Sequence, residues 1–306
     1  MKLHHLTNKE IDIERWDAAL ANSDRPLIYA NSWYLNIVSP NWEGFVNEDY
    51  TTIVPLPVSY KFGIKIVTQP PFCQQLGSFT NRHHLCEERF TPLSTPPFAT
   101  RIYQTKNILF KNNRYFSKER VNLILPLQKE YTLLKKGFNQ NTRRNIKEAK
   151  KHNQKIEQTF SAARFIQFSQ EHAPYSLSSK SWTILKKIVE TSLENKTGTL
   201  WTITNNQDIP LCMSFFLHQY NRITFLSGHS SPQGFKQKSM FLLMNEIIQT
   251  HAESKNTLDF EGGSLKGVAR FYKGFGAKEE VYYIWQNPII KKIDALIDPI
   301  KRTIKI

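Results

Sequence analysis

The chain has 306 residues, of which 40% are apolar and 12% aromatic, and this is enough material for two hydrophobic cores. Lys and Arg number 41 against 26 Asp and Glu, a formal charge of +15. Such an excess favours an anionic partner, whether nucleic acid, a phosphorylated cofactor or a membrane surface, without choosing among them. The amino end lacks an apolar signal region, and no run of about 18 apolar residues occurs, so we expect a cytoplasmic protein without stable membrane insertion.

The cysteines are too few and too scattered for a disulfide framework: Cys73, Cys86 and Cys212. His83 and His84 lie close to Cys86, as metal ligands would, but no second ligand pair follows at a useful spacing. We therefore predict a solvated loop at this place, no metal site, and a reducing compartment.

The first half of the chain predicts two helices and then a meander of antiparallel strands. The helices are expected over Ile11–Ala21 and 31–38. The strand-like segments that follow are joined by an acidic turn and by a Lys-Phe-Gly turn: "WEGFVNE", "YTTIVPLPVSY" and "IKIVTQ". Pro55 and Pro57, two residues apart, are typical of an edge strand or a bulged strand.

The second half alternates strands and helices in a more regular order. "VNLILPL" predicts a strand, and "YTLLKKGFNQNTRRNIKEAKKHN" predicts a helix that breaks near Gly137. From Lys155 the predicted order is β-α-α-β-β-β-α-β-α-β. The helical crossover makes "RITFLSGHS" and "TLDFEG" parallel neighbours, with their carboxyl ends at one edge of the sheet. Crevices at such edges commonly hold ligands.

Several stretches carry a family resemblance over nearly the whole chain: "NTRRNIKEAKK", "RITFLSGHS" with the helix after it, and "DFEGGSLKGVARFYKGFGA". With this element order, the chain resembles the GNAT-type acyl-CoA N-acyltransferase fold, and more narrowly the double-domain branch of Fem-type peptidyltransferases and CelD-like proteins. "WYLNIVSPNWEGF" and "VTQPPFCQQLG" are similar to an uncharacterised bacterial family of that branch. The resemblance implies an α+β protein with mixed sheets and tandem GNAT-like domains. We place the more degenerate domain at 1–150, the second at 151–287, and a basic amphipathic tail at 288–306.

The resemblance also implies transfer of an acyl or aminoacyl group to an amine, with acyl-CoA or aminoacyl-tRNA as donor and no permanently bound cofactor. GNAT-type proteins usually bind the CoA pyrophosphate on a Gln/Arg-x-x-Gly-x-Gly/Ala turn, because bare amides at a helix N-terminus suit phosphate. The corresponding segment, "SSPQGFKQKSMF", does not keep this spacing. We therefore expect CoA to bind weakly or in another mode, with these candidate donor contacts: Gln233, Gly234, Lys236 and Lys238.

Two residues near the ends of the predicted parallel strands are candidates for proton transfer. Glu261 is one candidate base, and His229 has an ordinary pKa near neutrality. The alternatives are a solvated loop histidine and a carboxylate that, with Ser264, only caps the next helix. Asp259 shares its strand parity with Glu261, so it would orient the acceptor amine, or else pair with Arg270.

The short basic helix after these carboxylates carries further candidates. Lys266, Arg270 and Lys273 share one helical face, and we predict that Arg270 binds substrate. Resemblance to a Phe-Lys-x-x-Phe-Gly-like motif implies that Lys273 lies beside the reaction centre, and the alternative is compensation of the helix dipole. An adjoining apolar face is predicted to pack on the sheet: Leu265, Val268, Ala269 and Tyr272.

A basic stripe on the preceding long helix is the second cationic feature. Arg143, Arg144 and Lys147 lie on overlapping faces, and Glu148 is the only acidic residue between 135 and 151. This imbalance predicts an anion site for a donor phosphate, for tRNA or for an acidic acceptor. The alternative is a solvated charged face.

Two further interpretations stay open. The chain could be a catalytically inactive protein that keeps the fold and binds a polyanion, either nucleic acid or a phosphorylated ligand. The tail at 288–306 has isoleucines on one face and lysines elsewhere, which would suit a membrane surface. Packing on its own domain is the favoured alternative, because Pro299 interrupts any long helix.

Overall fold

The computed structural model describes residues 2–61, 63–81, 99–105, 116–263 and 265–286. The chain divides into two compact units, one formed by 1–120 with 281–306 and the other by 121–280. The basic helix at 140–150 therefore lies within the second unit. The division of the sequence into GNAT-like domains at residue 150 stays a prediction.

The elements of the first unit are, in chain order, β1 (His4–Thr7), α1 (Ile13–Ala21), α2 (Ser32–Val38), β2 (Glu43–Val46), β3 (Thr52–Leu56), β4 (Val58–Lys61), β5 (Ile64–Thr68), β6 (Phe79–Thr80) and β7 (Ala99–Thr105). Both predicted helices are confirmed. The first begins after Asp12, whose side chain accepts a hydrogen bond from the backbone amide of Arg15 at 3.1 Å.

Antiparallel pairing dominates the first unit. One sheet has the strand order β1-β2-β3-β6, and β4 pairs with β5, which in turn lies parallel to β7. The segment predicted as one long strand is two strands, because Pro57 lies between β3 and β4 and these belong to different ladders. Pro55 pairs with Gly44 of β2, and the described pairs of β3 with β6 end at Ile53.

The core of the first unit is built on two tryptophans. The rings of Trp16 and Trp42 lie 4.8 Å apart, and both side chains are fully buried. Trp16 donates its indole N–H to the carbonyl of Ala30 at 2.9 Å. A Cβ on Gly44 would lie 2.7 Å from the Trp16 ring, so this close approach of β2 to α1 requires glycine.

The elements that follow are β8 (Phe116–Pro126), α3 (Tyr131–Lys136), α4 (Gln140–Lys150), β9 (Lys155–Thr159), α5 (Ala162–His172), α6 (Ser179–Glu194), β10 (Gly198–Thr204), β11 (Pro210–Gln219), β12 (Arg222–Ser230), α7 (Pro232–Lys236), α8 (Ser239–Thr250), β13 (Thr257–Asp259), α9 (Lys266–Gly274) and β14 (Lys278–Gln286). The predicted order from β9 onward is confirmed, with the short helix α7 as an addition. The sequence signals for α7 are Pro232 in its first turn and Ser231 as its N-cap.

The sheet of the second unit has the strand order β8-β13-β12-β11-β10-β9. β12 and β13 are parallel, as predicted, and their described neighbours in this sheet pair antiparallel. Helix α8 supplies the crossover between the two parallel strands. The core contains residues from the sheet and from the helices on it: Leu125, Phe138, Phe216, Leu243, Ile247 and Phe275.

The break between α3 and α4 positions α4 against α9. Gly137 ends α3, and the side chain of Asn139 then caps α4 by accepting the Thr142 amide at 2.8 Å. The backbone amide of Asn139 donates to the carbonyl of Gly274 in α9 at 2.9 Å. A Cβ on Gly274 would come within 2.4 Å of the Thr142 hydroxyl oxygen, so only glycine permits this contact.

Some predictions fall outside the described residues. These are the loop with His83, His84 and Cys86, the capping role of Ser264, and the tail at 288–306. Among the residues that are described, no cluster of three His, Cys, Asp or Glu side chains is placed to bind a metal ion. Within the same residues, no helix combines the length and the apolar character needed to cross a bilayer.

Candidate active site

Strands β12 and β13 run side by side for only part of their length. The described pairs end at Thr224 and Asp259, whereas β12 continues to Ser230. The pairing of β12 with β11 skips Leu226, which is therefore the extra residue of a β-bulge. The edge of β12 beyond Thr224 is thus where an extended ligand can meet backbone amides. The predicted crevice at the carboxyl end of β13 stays a prediction.

A buried polar network holds the end of β13. The carboxylate of Asp259, 1% exposed, accepts hydrogen bonds from Asn122 Nδ2 at 2.8 Å and from the backbone amide of Glu261 at 2.9 Å. It also forms an ion pair with Arg222, which reaches Glu280 at 3.4 Å. Burial by itself would lower the pKa of Arg222, but the two carboxylates outweigh it and raise that pKa above its ordinary value.

Two expectations about Asp259 are therefore wrong. Its partner is Arg222 on the neighbouring strand rather than Arg270 on α9. The parity argument that placed Asp259 and Glu261 on one face also fails, because β13 ends at Asp259 and Glu261 has a left-handed backbone with φ of 49°. The side chain of Asp259 is used inside the protein, where it fixes the backbone of Glu261.

Glu261 carries a carboxyl group with a perturbed pKa. The residue is half-buried, and desolvation raises the pKa of its carboxyl group well above the ordinary value of 4.5. A carboxyl group in this state favours its protonated form. It can therefore both donate and accept a proton, which is the property that a carboxylic acid needs for acid–base catalysis near neutral pH.

Tyr272 packs beside Glu261. Its ring stacks on Phe260 with centroids 4.6 Å apart, and the side chain is 8% exposed. Burial raises the pKa of the Tyr272 phenol, and the charges of Glu261, Tyr175 and Asp259 raise it further. The Glu261 charge therefore acts on the Tyr272 phenol, and the ring that stacks on Phe260 places this phenol in the region where β13 ends.

His229 lies on β12 and is 5% exposed, so the alternative of a solvated loop histidine is wrong. Its Nε2 lies 3.2 Å from the hydroxyl oxygen of Ser227, and its ring centroid lies 5.8 Å from that of Tyr175. Burial, with a smaller contribution from His172, lowers the pKa of His229 to about 4. This pKa is lower than the intrinsic histidine value that made His229 a candidate, so the imidazole is uncharged at neutral pH.

Lys273 forms a surface ion pair. Its Nζ lies 2.5 Å from Oε1 of Glu279, and both side chains are about half exposed, at 51% and 52%. In a Phe-Lys-x-x-Phe-Gly motif that ends in Phe275 and Gly276, the lysine position falls on Tyr272 and not on Lys273. The lysine position of the motif is thus occupied by the buried Tyr272 in this protein, and Lys273 faces away from the core.

The packing face of α9 also differs from the prediction. Leu265 is 71% exposed and Val268 is 38% exposed, whereas Tyr272 and Phe275 are buried. The predicted face is therefore wrong for Leu265 and Val268 and right for Ala269 and Tyr272, which pack on the core. Phe271 rather than Val268 continues the packing face, with its ring 5.3 Å from that of Phe275.

The segment that corresponds to the pyrophosphate turn uses its amides internally. Ser231 caps α7, accepting the Gly234 amide on its hydroxyl at 3.1 Å and the Phe235 amide on its carbonyl at 2.8 Å. A Cβ on Gly234 would lie 1.9 Å from the Leu211 carbonyl oxygen, so this glycine permits α7 to pack on β11. The other predicted donor contacts are the exposed Gln233 and Lys236 and the half-buried Lys238.

The basic stripe of α4 lies at the surface. Arg143, Arg144 and Lys147 are all exposed, and Arg144 donates to Oδ1 of Asn141 at 3.0 Å. Glu148 pairs with Lys151 at 2.7 Å, beyond these three cations. Among the described residues no carboxylate pairs with the stripe, so its charge remains available to an anion.

The structure thus joins some predicted residues and separates others. It connects Glu261 to Asp259 directly, whereas Lys273 and the α4 stripe lie at the surface. Sequence reasoning missed four members of the site: Asn122, Tyr175, Arg222 and Tyr272. The spacing of the Phe-Lys-x-x-Phe-Gly motif was an available signal for Tyr272. The other three depend on pairing across strands and on loop packing.

Together, the parallel β12–β13 pair, the bulge on β12 and the helical crossover give a mixed α+β fold, as predicted. No protein-family model matches this sequence, and no curated protein matches it.

Similarity to solved structures extends over almost the entire chain. A structure of FemX matches 97% of this chain and 100% of its own, with a TM-score of 0.62 and 12% identity. L-PGS from Bacillus licheniformis matches 95% of this chain and 97% of its own, with a TM-score of 0.57 and 11% identity. A conserved protein of unknown function from Bacteroides thetaiotaomicron matches 90% and 97%, with a TM-score of 0.58 and 10% identity. At these identities the likeness shows the fold.

Proposed function

We propose that this protein is an N-acyltransferase of the Fem type, which transfers an aminoacyl or acyl group to a primary amine. The observation that carries the proposal is the Glu261 carboxyl with its raised pKa, which lies just after the end of β13, where the described pairing of β13 with β12 stops. A carboxyl group that keeps its proton to higher pH is suited to proton transfer in amide formation. The shared fold with FemX and L-PGS supports the transferase class.

The chemistry assigns a step to each group. The neutral amine attacks the carbonyl carbon of the donor, so that a C–N bond forms and the C–O bond of an ester, or the C–S bond of a thioester, breaks. Glu261 gives its proton to the leaving oxygen or sulfur and receives the proton that the amine loses. The backbone amide of Leu226, taken out of the ladder by the bulge, is the candidate donor to the oxyanion.

The remaining residues support these groups. Tyr272 adds a hydrogen-bond donor beside Glu261, and Asp259 with Arg222 positions the Glu261 backbone. His229, held neutral, can pass a proton through Ser227 toward Tyr175. Lys273 has no part in this scheme, because its ammonium is paired with Glu279 at the surface.

Aminoacyl-tRNA is the donor that the observations favour. The Gly234 and Phe235 amides, which a CoA pyrophosphate would use, already donate to Ser231. The cations of the α4 stripe, by contrast, suit the phosphates of a polynucleotide. Acyl-CoA remains the alternative donor, with its phosphates held by the side chains of Lys236 and Lys238.

The test measures transfer from each donor class. The purified protein is incubated with charged tRNA or with a panel of acyl-CoAs, in the presence of small primary amines, and amide products are followed by mass spectrometry. We expect product with charged tRNA and about 10²-fold less turnover in Glu261→Gln. If Glu261→Gln retains full turnover, the proposed acid–base role is wrong. If neither donor class gives an amide, the enzyme assignment itself fails.

A second candidate function is polyanion binding without catalysis. It is favoured by the α4 stripe, whose three cations lack carboxylate partners among the described residues. This function predicts salt-dependent binding of tRNA that is indifferent to whether the tRNA is charged and unaffected by Glu261→Gln. Comparison of charged and uncharged tRNA therefore separates it from the transferase.

A further inference from the structure

A cavity of about 300 Å³ lies between the first turn of α4, the start of α8 and helix α9, all within residues 121–280. None of the acid–base groups lines it. Its volume is at the lower end of that of small-molecule sites, and is sufficient for a single nucleoside.

One wall of this cavity is aromatic. Phe241 at the start of α8 and Phe271 on α9 both line it, with ring centroids 4.8 Å apart in an edge-to-face arrangement. Both rings are only partly buried. A partly exposed aromatic surface in a cavity suits a flat heterocycle, since base–aromatic stacking stabilises a bound base by ~1–3 kcal/mol.

The opposite wall presents hydrogen-bond donors. Asn139 Oδ1 accepts from the Thr142 backbone amide, and Asn141 Oδ1 accepts from Arg144. The side-chain nitrogens of these two asparagines have no acceptor among the described residues. Thr142 also lines the cavity, and its hydroxyl is a further possible donor to a polar ligand atom at this place.

The rim of the cavity is cationic. Arg270 lines it and is exposed, and no carboxylate in the described part of the chain pairs with its guanidinium. The amino-terminal end of α4 adds the positive end of its helix dipole. A phosphate attached to a heterocycle would therefore meet a cation at the rim while the ring lies against the aromatic wall.

We propose that this cavity binds the adenosine nucleotide that ends the donor substrate. The aromatic wall, the donor amides and Arg270 fit a nucleotide by themselves. The choice of adenosine rests on the proposed function, because CoA contains adenosine phosphates and tRNA ends in an adenosine at its 3′ terminus. Adenine ring nitrogens accept hydrogen bonds, which matches the unused amide and hydroxyl donors of the cavity.

Gly267 provides a selective way to close this cavity. It lies in the first turn of α9, lines the cavity, and a Cβ built on it would meet no atom within 4 Å. A small side chain therefore fits without strain, and a long one extends into free space. Gly267→Leu should thus fill the cavity and leave the fold intact, which a melting curve verifies.

The experiment measures binding of adenosine 5′-monophosphate (AMP) to the full-length protein by isothermal titration calorimetry. We expect AMP to bind, and Gly267→Leu and Arg270→Gln each to weaken binding at least ~10-fold, equivalent to about 1.4 kcal/mol. Lys150→Gln, a loss of the same charge from an exposed site on α4 outside the cavity, should change affinity less than about twofold. Thr142→Val should weaken AMP binding without loss of the fold.

Several results would contradict the assignment of this cavity to an adenosine nucleotide. Equal binding of uridine 5′-monophosphate would overturn the adenosine assignment, and equal binding of inorganic phosphate would reduce the site to an anion site. AMP binding that survives Gly267→Leu would place the nucleotide elsewhere. Competition by CoA and by the trinucleotide CCA then identifies the source of the adenosine. Glu261→Gln should retain AMP affinity, so failed chemistry and a failed nucleotide site give different results.

Discussion

The backbone amide of Glu261 donates a hydrogen bond to Oδ1 of Asp259 at 2.9 Å, while Glu261 holds a left-handed backbone with φ of 49°. This conformation costs a non-glycine residue about 1 kcal/mol or more, so surrounding contacts must impose it. Asp259 is itself fixed by Asn122 and Arg222. The Asp259 hydrogen-bond network therefore acts on the position of Glu261, and we treat Asp259 as a positioning residue.

Removal of the Asp259 charge should destabilise the protein strongly. Asp259→Asn leaves Arg222, whose side chain is only 16% exposed, without its main counter-ion, and loss of one partner of a buried pair costs ~3–5 kcal/mol. Lys273→Met is the matched control, because it breaks an exposed pair with Glu279 and should cost at most ~1 kcal/mol. Urea unfolding measures both. Equal losses in the two variants would contradict the buried network.

The raised pKa of Glu261 should reduce stability as pH rises. The folded-state pKa is raised above the ordinary 4.5, so above pH 4.5 the unfolded chain binds fewer protons than the folded one and unfolding becomes easier. Glu261→Gln removes this dependence and keeps the shape of the protonated acid. We expect the variant to gain thermal stability over the wild type as pH increases from 4.5. A difference that stays constant with pH would mean that Glu261 ionises normally.

Turnover should depend on Tyr272 and not on Lys273. Tyr272→Phe keeps the stacking on Phe260 and deletes the hydroxyl beside Glu261, so we expect activity to fall by ~10²-fold. Lys273→Met should leave activity within about twofold, because its side chain is engaged with Glu279. Both variants are compared in the transfer assay at equal folded fraction. The reverse pattern would return the reaction centre to Lys273.

Element order and the parallel pair were readable from the sequence because turns and apolar runs are local signals. "RITFLSGHS" and "TLDFEG" predicted β12 and β13, and the crossover rule predicted their direction. Their relative register is not local. It follows from the early end of β13 at Asp259, so sequence reasoning could not place His229 beyond the paired segment.

The charged residues were harder to assign for a similar reason. Arg222 opens the predicted strand β12, and its partner is distant in sequence because the parallel register brings Arg222 to Asp259. Burial also changed the chemistry that was predicted from ordinary pKa values, as with the lowered pKa of His229 and the raised pKa of Glu261. Such shifts depend on the packing around each group, which periodicity does not determine.

Gly234 should be required for packing rather than for a phosphate. In Gly234→Ala the new Cβ would lie 1.9 Å from the Leu211 carbonyl oxygen, which forces α7 away from β11 and should cost ~1–3 kcal/mol. Gly267→Ala, in a helix with open space around it, should instead add ~0.5–1 kcal/mol of stability. Thermal melts without ligand measure both. A Gly234→Ala variant as stable as wild type would remove the packing explanation.

The α4 stripe should govern the salt dependence of tRNA binding. Arg143, Arg144 and Lys147 are exposed, and each cation that binds a phosphate releases counter-ions. Replacing all three by Gln should therefore lower the slope of log affinity against log salt by ~0.7–0.9 for each phosphate that is no longer neutralised. Lys186→Gln and Lys187→Gln, on the exposed face of α6, together serve as the charge control. Filter binding at several salt concentrations measures the tRNA affinity and its salt slope for each variant. An unchanged slope in the triple variant would mean that the stripe is a solvated face.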